Sequence, residues 1–170
     1  MNRLLLTAAL MTVSPALAQT QVPGTKVVYF TQKDPITDEN KSVVAVAEVN
    51  DTDANTFLRF RCIAGAVDVI LFTKNPLVTL TDWENDVSPQ LIYRVDAQQP
   101  KTLITNGIVS DDEPVLTALG LENDNVLVQA FTNATSKVVI RIVRRDMSPL
   151  DYTFATKGFA QAMKAVNSCR

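Results

Sequence analysis

The chain contains two cysteines, Cys62 and Cys169, placed so that one covalent bond would tie its end to its middle. Cys62 lies in Thr56-Phe57-Leu58-Arg59-Phe60-Arg61-Cys62-Ile63. Leu58, Phe60 and Cys62 fall on one face of that stretch and Phe57, Arg59, Arg61 and Ile63 on the other, the period of two that marks a half-buried strand. A central strand with Cys62 pointing inward is predicted. Around Cys169 the period differs, because Phe159, Ala162, Met163, Val166 and Cys169 form one helical stripe beginning near Lys157. Bonding the two would staple this terminal helix to the central strand. Two cysteines permit a single intramolecular connectivity, and closing a loop of about a hundred residues would stabilise by roughly 4–5 kcal/mol on chain-entropy grounds.

Whether such a bond forms depends on the compartment. Met1-Asn2-Arg3, the apolar run of residues 4–13 and Ser14-Pro15-Ala16-Leu17-Ala18 have the basic start, short apolar centre and small-x-small site of a bacterial secretory signal. Residues 1–18 are therefore read as a signal peptide and residues 19–170 as a single exported domain. The apolar run is well short of the ~20 residues of a membrane span, so no transmembrane span is expected. The periplasm or cell envelope of a bacterium is the predicted location, and its oxidising chemistry favours a Cys62–Cys169 disulfide. A formal charge of −2, evenly mixed along the chain, gives no reason to expect nucleic acid as a partner.

Strands are predicted at residues 26–31, 42–49, 56–63, 67–73, 91–96, 101–108, 126–132, 137–143 and 150–154, each bounded by turn chemistry. Ala64-Gly65 predicts a tight hairpin turn. Ser110-Asp111-Asp112-Glu113 has capping-box spacing and predicts a short helix reaching Leu119, closed by Gly120. Residues 74–90 form a long connection holding the single tryptophan, Trp83. The fold class is mainly β (α+β): an antiparallel sandwich or strongly curved sheet with a short mid-chain helix and a C-terminal helix.

The chain has no histidine, which removes the commonest general base and every Ser-His-Asp or Cys-His arrangement. Carboxylates cluster at Asp34/Asp38, Asp82/Glu84/Asp86 and Asp111/Asp112/Glu113, all in predicted turns or caps, so no turnover is expected to depend on them. Asp51-x-Asp53-x-Asn55 begins like a calcium loop but has Thr56 where glycine is needed and no acid at the twelfth position; a polar turn is the better reading. Neither metal nor cofactor is expected. Arg59, Arg61, Arg141, Arg144 and Arg145 would make a basic patch if their strands were neighbours, and otherwise lie on solvated faces. Long loops are retained where they act, and tryptophan is enriched at interface centres, so Trp83 is the candidate partner-binding residue.

Three short motifs carry a resemblance: Leu58-x-x-x-Cys62, Tyr93-Arg94-Val95-Asp96, and Phe154-x-x-x-Gly158-Phe159-x-x-Ala162 with Cys169 behind it. Over the chain from about Lys33 onward it resembles the exported type VI secretion-associated TagO/VasI proteins. The resemblance implies an envelope accessory protein without catalysis, its two cysteines paired. The expected function is non-enzymatic binding to other envelope proteins of a larger assembly. The alternative is a small-ligand or cell-wall-glycan-binding module.

Overall fold

A computed structural model describes residues 19–108 and 117–170. The signal-like segment and the capping-box acids Asp111, Asp112 and Glu113 lie outside the described residues. The strands are β1 (Thr20–Gln21), β2 (Val27–Phe30), β3 (Val43–Ala47), β4 (Phe57–Ile63), β5 (Ala66–Phe72), β6 (Gln90–Val95), β7 (Lys101–Leu103), β8 (Thr105–Ile108), β9 (Ala118–Leu121), β10 (Lys137–Val143) and β11 (Leu150–Ala155). Among the described residues three α-helices accompany them: α1 (Leu80–Glu84), α2 (Asp124–Asn133) and α3 (Phe159–Ala165). Every ladder is antiparallel. A seven-stranded sheet runs β1-β2-β3-β4-β5-β9-β8 and a four-stranded sheet runs β11-β10-β6-β7.

β4 has the alternation read from its sequence. Leu58, Phe60 and Cys62 are fully buried while Phe57, Arg59, Arg61 and Ile63 are half-exposed. Its neighbours keep the same phase, with Val44 and Val46 of β3 opposite Phe60 and Leu58, and Val69 and Leu71 of β5 opposite the same pair. Ala64 and Gly65 both adopt positive φ, 48° and 76°, the geometry of a two-residue turn whose twist matches its strands.

Four expectations need correction. Residues 126–132 are not a strand but most of α2. A short apolar run can be read in either period, and Leu127, Ala130 and Phe131 are buried as a helical stripe. Residues 118–121 do not end a helix but form β9, whose four residues are all buried. The strand read over residues 101–108 is two strands in different sheets, parted at the exposed Ile104. Cys169 is not on the stripe of α3; the helix stops at Ala165 and the chain turns through Asn167, Ser168 and Cys169, all with positive φ (55°, 49°, 61°).

The disulfide is formed, with the Cys62 and Cys169 Cα atoms 4.9 Å apart. Helices α2 and α3 pack on the inner face of the larger sheet, and Phe131 of α2 reaches both sheets, touching Phe60 of β4 and Phe154 of β11. Polar seams join the sheets elsewhere. The Thr153 amide donates to Glu48 Oε1 at 3.1 Å, and Tyr152 shares a 2.6 Å hydrogen bond with Thr73 and accepts from Asn75. Among the described residues no helix is long and apolar enough to cross a membrane.

Candidate functional site

The outer face of the seven-stranded sheet is the surface that the fold leaves unpartnered by α2 and α3. Alternation puts Val28 and Phe30 of β2, Val43, Ala45 and Ala47 of β3, and Phe57 and Ile63 of β4 on it, and these side chains are half-buried. Charge enters at Arg59, Arg61 and Asp68. Register sets Arg61 opposite Asp68, and its guanidinium donates to Asp68 Oδ2 from Nε at 3.2 Å and Nη2 at 3.0 Å. Arg59 sits opposite Ala45 on one side and Ile70 on the other, without an acid in either neighbouring strand position. Its guanidinium carbon lies 4.9 Å from the centre of the Phe72 ring, which itself stacks on Phe57. The cation–π contact offsets part of the cost of holding the charge there. Arg59 Nε is nonetheless buried without a hydrogen-bond partner, and burial followed by the charge of Arg61 holds its pKa below the usual arginine range. A cation so placed is complementary to an incoming carboxylate.

The arginines do not form one patch. Arg141 belongs to the other sheet, where it pairs with Asp151 through two hydrogen bonds. Arg144 donates to the Pro76 carbonyl at 2.7 Å and to Ser148, and Arg145 lies 3.6 Å from Asp82. The last two contacts tie the loop of residues 74–90 to the end of β10.

That loop is partly core. Leu77 and Val78 are buried, and α1 is begun by Thr79, whose hydroxyl accepts from the Asp82 amide and donates to the Asp82 carboxylate. Trp83 and Leu80 remain exposed, at 36% and 51%. Trp83 thus stands on a short helix anchored from both sides.

The acidic groups have structural work. Asp34 Oδ1 accepts the Ile36 and Thr37 amides. Asp51 accepts the amides of Asp53 and Thr56, so its carboxylate closes a turn. Among the described residues no group of three His, Cys, Asp or Glu side chains placed to hold a metal ion is found.

Asp96, last residue of the Tyr93-Arg94-Val95-Asp96 motif, has a role that the sequence did not disclose. Its carboxylate accepts five hydrogen bonds: the amides of Thr135, Ser136 and Lys137 and the hydroxyls of Thr135 and Ser136. The amides of Lys137 and Thr135, above all, hold its pKa far below the usual value of 3.8. It fastens the end of β6 to the turn between α2 and β10. A carboxylate with a depressed folded-state pKa contributes stability that is present above its unfolded pKa and is lost as pH falls through the folded one. Asp96→Asn is therefore expected to lower the melting temperature at neutral pH, with the gap to wild type closing as pH falls below about 4. Melting curves across that range check it, and a pH-independent gap would refute it.

No protein-family model matches the chain, and no curated protein or solved structure does.

Proposed function

We propose that the protein acts by binding other proteins, as a non-enzymatic accessory or structural subunit of a larger envelope or secretion-associated assembly, and that its partner brings an apolar segment carrying a carboxylate. The observation carrying this reading is the outer face of the seven-stranded sheet, a half-buried apolar surface around one unpaired guanidinium, Arg59. Soluble proteins seldom leave such a face open unless something covers it. The missing histidine and the engagement of Asp34, Asp51 and Asp82 in turns and a cap speak against catalysis. The disulfide fits export to an oxidising compartment, and the TagO/VasI resemblance points to the same setting.

Two surfaces are separable by mutation. Arg59→Gln removes the charge from the sheet face, and Trp83→Ala removes the exposed ring of α1. Purification from the native compartment should recover a stoichiometric, identifiable partner with the wild-type protein. Recovery should fall at least roughly tenfold with Arg59→Gln, as expected when a desolvated charge pair is lost. If Trp83 is a second anchor, Trp83→Ala weakens association by about 2 kcal/mol or more and leaves the melting temperature nearly unchanged. A monomer that travels alone, or a partner retained in full by Arg59→Gln, overturns the proposal.

A further inference from the structure

A second site lies between α2 and the β6–β7 hairpin of the four-stranded sheet. The space there is about 350 Å³ and is open to solvent at its mouth, within the size range of small-ligand sites. Its polar lining comes from Tyr93 of β6, Gln98 and Gln99 of the hairpin turn, Lys101 of β7, and Gln129 and Asn133 of α2. None of these six side chains makes a hydrogen bond or ion pair with a described residue. For the exposed amides that is ordinary. Tyr93 is different: its side chain is 7% exposed, and a buried phenol usually finds a partner for its hydroxyl. Among the buried side-chain polar atoms of the described residues only Arg59 Nε lacks a partner, so the Tyr93 hydroxyl is not sealed in the core, and Tyr93 is one of the residues lining the cleft.

We propose that this cleft binds a short saccharide carrying at most one anionic group. Each glutamine or asparagine amide offers a donor and an acceptor together, which suits hydroxyls that are themselves both. Four such amides plus a phenol give alternating hydrogen-bonding character without the fixed charge that selects phosphates or carboxylate clusters. Lys101 is the one charged lining group, hence the limit on anionic character. Val95, Val126 and Ala130 supply apolar contact for the C–H faces of a sugar ring. The walls are also held in place beforehand. Asp96 fastens the end of β6 to residues 135–137, directly after α2, so the hairpin wall and the helix wall keep their spacing without a ligand. The site is remote in sequence and sheet from Arg59 and stands independently of the protein-binding proposal.

The test is a two-dimensional ¹H–¹⁵N NMR titration of the oxidised protein with N,N′-diacetylchitobiose, cellobiose and the singly anionic disaccharide glucuronyl-N-acetylglucosamine at millimolar concentration, and with a neutral alanine–glycine tetrapeptide as control. Saturable shifts centred on the side-chain amides of Gln98, Gln99, Gln129 and Asn133 are expected with at least one saccharide. Asn133→Ala and Tyr93→Phe should each weaken that binding at least roughly tenfold, the scale of a hydrogen bond removed from a built site. Asn133 is exposed, so its variant folds, and it decides the matter should Tyr93→Phe disturb the core. Flat titrations with all three saccharides, an equal response to the tetrapeptide, or binding untouched by Asn133→Ala each overturn the assignment.

Discussion

Replacing Cys169 with serine is expected to destabilise the protein by about 2–5 kcal/mol. The bond closes a loop of 107 residues, so cutting it releases much conformational freedom in the unfolded chain. The folded state should respond unevenly. Helix α3 has burial of its own, with Phe159, Ala162, Met163 and Val166 packed in the core, and Asn40 Nδ2 donates to the Val166 carbonyl at 2.9 Å. The turn beyond it has less support. Asn167, Ser168 and Cys169 are three successive non-glycine residues in left-handed conformation, each disfavoured by about 1–2 kcal/mol, and without the bond that turn should relax. Guanidinium unfolding should show the global loss, and hydrogen exchange should rise sharply at residues 167–170 while α3 stays protected. A Cys169→Ser protein within about 0.5 kcal/mol of wild type, the range of ordinary surface changes, would show that the staple is not what holds the end of the chain.

The parts of the fold legible in the sequence are those where period, turn chemistry and covalent constraint agree. β2 to β5 form a meander of adjacent strands, so local alternation and turns such as Ala64-Gly65 suffice to specify it. The pairing of Cys62 with Cys169 followed from there being only two cysteines in a chain that looks exported. α2 was hidden because Val126, Val128 and Ala130 alternate as well as Leu127, Ala130 and Phe131 step helically; the i, i+4 pair Gln129 and Asn133 was the available sign of a polar helical edge. The change of sheet at Ile104 was hidden because alternation continues across it, and sheet membership is decided by the strand each half pairs with, Tyr93 for Lys101 across a hairpin and Leu121 for Thr105 further along the chain. For the same reason the unpaired state of Arg59 could not be read. It follows from a register that gives Arg61 an acid and Arg59 an alanine and an isoleucine.

Phe131→Ala is the second large effect, expected at about 3–5 kcal/mol. Phe131 is 1% exposed and its ring centre lies 5.3 Å from that of Phe60, 5.2 Å from Phe159 and 6.2 Å from Phe154. These three partners belong to β4, α3 and β11, so one side chain fills the space where two sheets and a helix meet. No single neighbour can collapse into the void without leaving its own sheet, which places the cost toward the upper part of the range. Phe57→Ala is the control. Phe57 is also aromatic and stacks on Phe72, but on the half-exposed outer face, where loss of one aromatic pair is worth about 0.5–1.5 kcal/mol beyond the area it covers. Denaturant unfolding of the two variants should show the clearly larger loss for Phe131→Ala, because the half-exposed Phe57 has less burial to lose. Equal losses would mean that the outer face is packed as a second core, and the surface assigned to a partner would not be free to receive one.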